Sequence, residues 1–210
     1  MIVSATIEKA LSEQAFPIRD GVFVAVAGPS GAGKDTLMDF ARRHFAERSD
    51  AIVFVRRIVT RPADTSNEDH DTISKEAFDK AHAEGRFSIS WKANGLCYAL
   101  PAEVDDILRK GGVVVANVSR AAIPEIEARY RNVAVIIVTA PAEVLAERLA
   151  GRGRESHDEI LARLERNANY ANGTPGATVI DNSGTLEEGG ARFVTALSKA
   201  LAWSAVCDSI

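Results

Sequence analysis

Val22-Phe23-Val24-Ala25-Val26-Ala27-Gly28-Pro29-Ser30-Gly31-Ala32-Gly33-Lys34-Asp35-Thr36 is the stretch around which the chain is organised. Val22 to Ala27 read as a buried strand, the glycines as a tight turn, and Asp35 to Glu47 as a helix with Leu37, Phe40, Ala41 and Phe45 on one face. A strand, a glycine-rich turn and a helix start form the context that a phosphate-binding loop requires. Glycine lets backbone N–H groups curl around a polyphosphate, and the helix N-terminus adds partial positive charge. Lys34 would reach the outer phosphates as a point charge. The motif asks for Ser or Thr after the lysine, to meet Mg²⁺ with a hydroxyl. Here that position holds Asp35, and Thr36 follows it.

The bulk numbers fit one domain with small inserts: 210 residues, 46% hydrophobic and 26% charged. A net charge of −4 argues against a nucleic-acid partner. No apolar run approaches the ~18 residues of a membrane span, and the N-terminus, with Glu8 and Glu13, lacks the pattern of a signal peptide. Cys97 and Cys207 make no metal or redox spacing, so a reducing cytoplasm is the expected compartment. Among 25 basic residues 18 are Arg, whose planar fork matches phosphate oxygens, although Arg-rich solvated helices would give the same count.

Further along, strands are expected at 52–57, 87–91, 113–118, 133–139 and 178–181, and helices at 75–84, 101–110, 121–130, 142–149, 158–170 and 186–203. Residues 7–15 carry a weaker helical pattern. Ser74 is the expected N-cap of its helix, and Asn94-Gly95 a tight turn. Residues 60–71 are too rich in Asp, Asn and Ser for a core. Unbroken apolar strands alternating with helices indicate a parallel sheet covered on both faces. The expected fold is therefore a three-layer α/β/α sandwich on a five-stranded parallel sheet. It forms one domain over 1–210, with a core at 21–60 and 111–205, a polar insert at 61–100 and an Arg-rich lid at 148–158.

The order of phosphate loop, Thr60-Arg61-Pro62 segment, small insert and Arg-rich flap resembles the guanylate kinase group of P-loop kinases from Val22 to Leu201. Within that group the chain is most similar to the ribose 1,5-bisphosphate phosphokinase family. The likeness rests on Gly28 to Thr36, Arg56-Arg57-Ile58-Val59-Thr60-Arg61-Pro62-Ala63, Ser90-Trp91-Lys92-Ala93-Asn94-Gly95 and Val115-Ala116-Asn117-Val118-Ser119-Arg120. Guanylate kinases read guanine with a Glu in the insert strand and a hydroxyl in a Tyr-Gly-Ser/Thr turn. Those positions here hold Ile89 and, in Tyr98-Ala99-Leu100, Leu100. A buried purine edge left without partners costs about 1–3 kcal/mol per group, so guanine recognition should be lost.

The resemblance implies ATP-dependent phosphorylation of ribose 1,5-bisphosphate to 5-phosphoribosyl 1-diphosphate and ADP. Alternatives are a nucleoside monophosphate kinase and a non-catalytic binding module. ATP and Mg²⁺ are the implied cofactors, and a phosphorylated sugar is the partner; the resemblance leaves room for a homodimer. Gly28, Pro29, Ser30, Gly31, Ala32, Gly33, Lys34, Asp35 and Thr36 would hold ATP, with Asn182 making backbone contacts near the adenine or forming an ordinary turn. Lys34, Arg148 and Arg152 would meet the transferring phosphate. Arg57, Arg61, His70, Tyr98, Asn117, Arg120 and Arg163 would face the acceptor, and His70 with Asp71 stands where relatives carry a Tyr pair. The carboxylate that relatives keep near Mg²⁺ at the strand end is here Asn117. Asp35 is expected either to replace that charge, with Thr36 as the alternative metal ligand, or simply to cap the helix.

Overall fold

The structure, a computed structural model, describes residues 17–48, 52–61, 70–151 and 174–207. Its first sheet contains β1 (Val22–Ala27), β2 (Ile52–Val55), β7 (Val113–Asn117), β8 (Val133–Thr139) and β9 (Thr178–Asp181). Their order is β2-β7-β1-β8-β9, and every pairing is parallel. The second sheet contains β3 (Arg57–Val59), β4 (His70–Thr72), β5 (Phe87–Ala93) and β6 (Leu96–Pro101), ordered β4-β3-β6-β5. The helices are α1 (Lys34–His44), α2 (Lys75–Ala83), α3 (Glu103–Arg109), α4 (Ile123–Arg129), α5 (Ala142–Ala150) and α6 (Leu186–Cys207).

β1 is wholly buried, and its alternating side chains divide the core in two. Val22, Val24 and Val26 pack with Leu37, Met38 and Ala41 of α1, Leu145 of α5, and Phe193 and Leu197 of α6. Phe23, Ala25 and Ala27 face Val104 and Leu108 of α3, Ile126 of α4, and Ile89, Trp91, Tyr98 and Leu100 of the second sheet. The five-stranded parallel sheet with helices on both faces is thus as the apolar runs imply. Ser74 caps α2 by accepting from the Ala77 N–H at 3.1 Å. Asn94 and Gly95 both take positive φ (50° and 75°), the geometry of a two-residue hairpin turn.

Four local expectations are corrected. The strand expected over 52–57 breaks at Arg56, where the chain leaves one sheet for the other. Arg56 donates to the His70 carbonyl at 3.1 Å and pairs with Asp71 at 3.2 Å, which ties the crossing to β4. His70 and Asp71, expected in a loop, lie in β4, parallel to β3. Pro101 does not open a helix: the hairpin register carries β6 through Pro101, opposite Phe87, and α3 starts at Glu103. Local patterning could not foresee these points, because the pairing strand decides each of them. α1 also ends at His44, with a short 3₁₀ turn over Ala46–Arg48. The expected helices at 7–15 and 158–170 and the flap from Arg152 to His157 lie outside the described residues.

A buried ionic knot holds α3 to the end of α4. The Asp105 carboxylate accepts from Tyr130 Oη at 2.7 Å, from Arg129 Nε at 3.2 Å, and from Arg129 Nη2. Burial and the Asp105 carboxylate push the Tyr130 phenol well above its ordinary pKa, and the Asp105 pairing raises that of Arg129.

Candidate active site

The phosphate loop leaves the C-terminal end of β1, in the middle of the sheet, where open α/β sheets place their ligands. Gly28 has φ +149°, and a Cβ there would overlap the Val138 carbonyl oxygen of β8. No other residue lets the loop start this close to the neighbouring strand. Gly33 takes a left-handed conformation (φ 86°) as the N-cap of α1 and supplies no side-chain cap, so the N–H groups of the first turn are left to the loop. Lys34 Nζ reaches back over the loop to the carbonyls of Gly28 (3.0 Å) and Pro29 (2.9 Å). The ammonium therefore lies along the curl that would hold phosphates.

Asp35 and Asn117, 82 residues apart, meet at the loop's edge: Asn117 Nδ2 donates to Asp35 Oδ1 at 2.6 Å. Asn117 ends β7 beside Val26, and its side chain is 5% exposed. A carboxylate only accepts, so the amide must turn its NH₂ toward Asp35, which leaves Asn117 Oδ1 buried without a hydrogen-bond partner. Thr36 is exposed one step further round the helix. The carboxylate of the loop helix and the amide of the strand end thus form one polar unit. Among the described residues no cluster of three or more His, Cys, Asp or Glu could cage a metal. One carboxylate and one unpaired amide oxygen beside a phosphate loop do fit Mg²⁺, which is bound through one or two protein oxygens together with substrate phosphates.

Beside this pair lies a small open cleft lined by Asp35, Met38, Asp39, Arg42, Val55, Arg57 and Asn117. The Arg57 guanidinium stands 6.0 Å from the centre of the Tyr98 ring, and Tyr98 stacks on Trp91 at 5.5 Å. His70 is the register partner of Arg57 on β4. Arg61 lies two residues past β3 and Arg120 opens the 3₁₀ turn after β7; both are partly buried. Ile89 (1% exposed) and Leu100 (0%) oppose each other across β5 and β6 inside the core. Neither offers a polar group.

Arg148 of α5 donates through Nη2 to the Asn182 carbonyl at 2.9 Å, while its Nη1 is buried without a partner. Asn182 follows β9; its own N–H donates to the Thr139 carbonyl at 2.8 Å, and its Nδ2 to the Ala32 carbonyl inside the phosphate loop at 2.8 Å. Both backbone groups of Asn182 are thus engaged within the protein, as they would be in an ordinary turn, the second of the two roles the sequence allows it. The side-chain strut escaped that reading; a polar residue directly after a strand end, in Asp181-Asn182-Ser183-Gly184, was its only signal. The structure brings together Lys34, Asp35 and Asn117 at the loop and Arg57, His70 and Tyr98 on the second sheet. Arg152 and Arg163 lie outside the described residues.

A parallel sheet, a phosphate loop at the end of its central strand and a lysine laid across that loop define a P-loop phosphotransferase. A family model described as the AAA domain matches residues 24–168. The guanylate kinase structure from Anaplasma phagocytophilum covers 86% of this chain and 86% of its own, with a TM-score of 0.64 at 20% identity, a likeness of fold. Ribose 1,5-bisphosphate phosphokinase PhnN of Chelativorans sp. (strain BNC1) is 57% identical over 207 residues, 99% of either chain. The protein of the same name from Rhizobium etli (strain CIAT 652) is 47% identical, over 87% of this chain and 92% of its own. The chain belongs to the ribose 1,5-bisphosphate phosphokinase family. No helix among the described residues is long and apolar enough to cross a membrane.

Proposed function

We propose that this protein transfers the γ-phosphoryl group of ATP to the C1 phosphate of ribose 1,5-bisphosphate, giving 5-phosphoribosyl 1-diphosphate and ADP. Kinship with enzymes of that name at 57% and 47% identity supports the reading. The observation that carries it here is the pair Ile89 and Leu100: the positions that would read a purine edge are apolar and sealed in the core. The cleft presents the guanidinium groups of Arg57 and Arg42, the carboxylates of Asp35 and Asp39 and the amide of Asn117, groups that can meet phosphate oxygens and sugar hydroxyls.

The nucleophile is an oxygen of the C1 phosphate, which attacks the γ-phosphorus in line as the bond to the bridging oxygen of ADP breaks. A phosphomonoester has its second pKa near 6 and is already largely dianionic at neutral pH, so no general base is required. What the site must do is offset charge and exclude water. Lys34 neutralises the outer phosphates across the loop of Gly28 to Gly33. Arg148 and Arg152 meet the transferring group; Arg57, Arg61, Arg120 and Arg163 hold the acceptor phosphates; His70, Tyr98 and Asn117 line the sugar. Asp35 would hold Mg²⁺, with Thr36 the alternative, and the ion would supply charge neutralisation at the ATP phosphates. The insert from about residue 61 to 100 would carry the acceptor and the segment 148–158 would close over it. The enzyme would work in the cytoplasm, as a monomer or homodimer, on a small-molecule partner, in phosphonate metabolism.

ADP release measured with ribose 1,5-bisphosphate, with GMP and with no acceptor tests the assignment, and phosphorus NMR identifies the diphosphate product. Activity with the bisphosphate alone is expected. Turnover of GMP alone would make the protein a nucleoside monophosphate kinase, and silence with every acceptor would make it a binding module.

A further inference from the structure

Asn182, only 7% exposed, is packed against the phosphate loop. Its Nδ2 donates to the Ala32 carbonyl at 2.8 Å. On its two sides stand glycines: a Cβ on Gly33 would overlap Nδ2, and a Cβ on Gly189 of α6 would overlap Oδ1. Its backbone is pinned as firmly, by Thr139 on one side and Arg148 on the other. The side chain therefore occupies a slot cut to its shape between the loop and the helix that follows β9.

We propose that Asn182 is a positioning residue that sets the conformation of the phosphate loop, and that the glycines at 33 and 189 exist to admit it. The inference rests on the loop holding ATP, as proposed above. The peptide unit joining Ala32 to Gly33 is planar and trans, so its C=O and N–H point in opposite directions. By holding the Ala32 carbonyl toward itself, Asn182 turns the Gly33 N–H to the opposite side of that peptide, at the N-cap of α1, where N–H groups have no helical partner. The carbonyl of the same residue aims Arg148. A strut 150 residues away along the chain thus presets donors that would otherwise have to be ordered as phosphate arrives.

The test uses ADP affinity by titration calorimetry on the full chain, at a temperature where thermal unfolding shows every variant folded. Asn182→Ala should weaken ADP binding by about ten-fold, the loss expected for a buried carbonyl left without its donor. Asn182→Asp keeps the volume but removes the donor, and should lose as much; because Arg148 is held by the main-chain carbonyl, kcat at saturating ATP should fall by less than the affinity does. Gly189→Ala pushes on Asn182 from the far side, away from the loop, and should weaken binding too. In the double variant Gly189→Ala/Asn182→Ala the overlap with Oδ1 is gone and what remains is a 3.2 Å approach to the end of the flexible Leu37 side chain, so binding should be no weaker than in Asn182→Ala alone. Wild-type affinity in Asn182→Ala or Asn182→Asp would overturn the proposal, as would losses that multiply in the double variant. A wild-type protein that binds no ADP would overturn the proposed function along with it, whereas normal kinase activity with unchanged ADP affinity in the variants would sink this inference alone.

Discussion

Asn117→Asp puts two carboxylates where one carboxylate and one amide now meet. The bond it removes, Asn117 Nδ2 to Asp35 Oδ1 at 2.6 Å, is of the kind made to a charged group, which contributes about 1.5–3 kcal/mol. In its place two negative charges would stand about 4 Å apart and repel by about 4 kcal/mol at an effective dielectric of 20. Asp35 is partly exposed, so water and counterions absorb much of that, and uptake of one proton absorbs more. A net destabilisation of about 2–4 kcal/mol remains, which for a chain of this length lowers Tm by about 5–15 °C. Thermal unfolding at pH 7 and low ionic strength reads it directly. The reciprocal variant Asp35→Asn/Asn117→Asp again pairs one carboxylate with one amide, and should regain most of the lost stability. ADP release in the same pair of variants then reports whether the charge must sit on the loop or serves equally at the strand end. The reasoning fails if Asn117→Asp melts within about 2 °C of wild type, or if the reciprocal variant melts no higher than Asn117→Asp.

Other expectations concern the loop, the core and the buried knot. Lys34→Ala should cut kcat/KM at least 100-fold while leaving Tm close to wild type, as expected when a preorganised charge at a transferring phosphate is lost; steady-state kinetics beside a melting curve would check it. Leu100→Ser, which restores a hydroxyl where guanylate kinases read guanine, should confer no GMP turnover and should destabilise by about 3 kcal/mol or more, because Leu100 is fully buried; urea unfolding and a GMP assay measure the two parts. Asp105→Ala leaves the buried Tyr130 hydroxyl without its acceptor while the partly exposed Arg129 turns to water, and should cost about 1–3 kcal/mol in the same urea assay. The Tyr130 phenol is held above its ordinary pKa of 10.0 in the folded chain, so the protonated form is favoured by folding. Its contribution is complete below pH 10 and is lost as pH rises beyond it; a Tyr130→Phe variant should show a shallower loss of stability on the alkaline side, followed by absorbance at 295 nm and by melting.

How much was legible beforehand follows from the range of the forces involved. The strand, loop and helix from Val22 to His44 are written in local terms: six apolar residues in a row, glycines where φ is positive, and a helical stripe read as Leu37, Phe40, Ala41 and Phe45, of which the structure buries all but Phe40, half-buried, and adds Met38. Runs such as Val133–Thr139 cannot be solvated on either face, which by itself demands a parallel sheet with helices on both sides. The Ser74 cap and the Asn94-Gly95 turn are decided within four residues, and both stand where the sequence put them. The substitution of Ile89 and Leu100 for base-reading groups was likewise visible, being a matter of residue type alone.

Only tertiary contact decided the rest. Nothing around Arg56 announces that a strand must end there, because the break is made by β4 and by the partner sheets. Asp35 and Asn117 lie 82 residues apart and Asn182 lies 150 residues from Ala32, so neither the shared hydrogen bond nor the strut has a local signature. The sequence determined which segments must be buried, and with that the sheet and its loop. The folded chain alone determined which polar groups share a proton donor, because a hydrogen bond acts over about 3 Å of space and is blind to distance along the backbone.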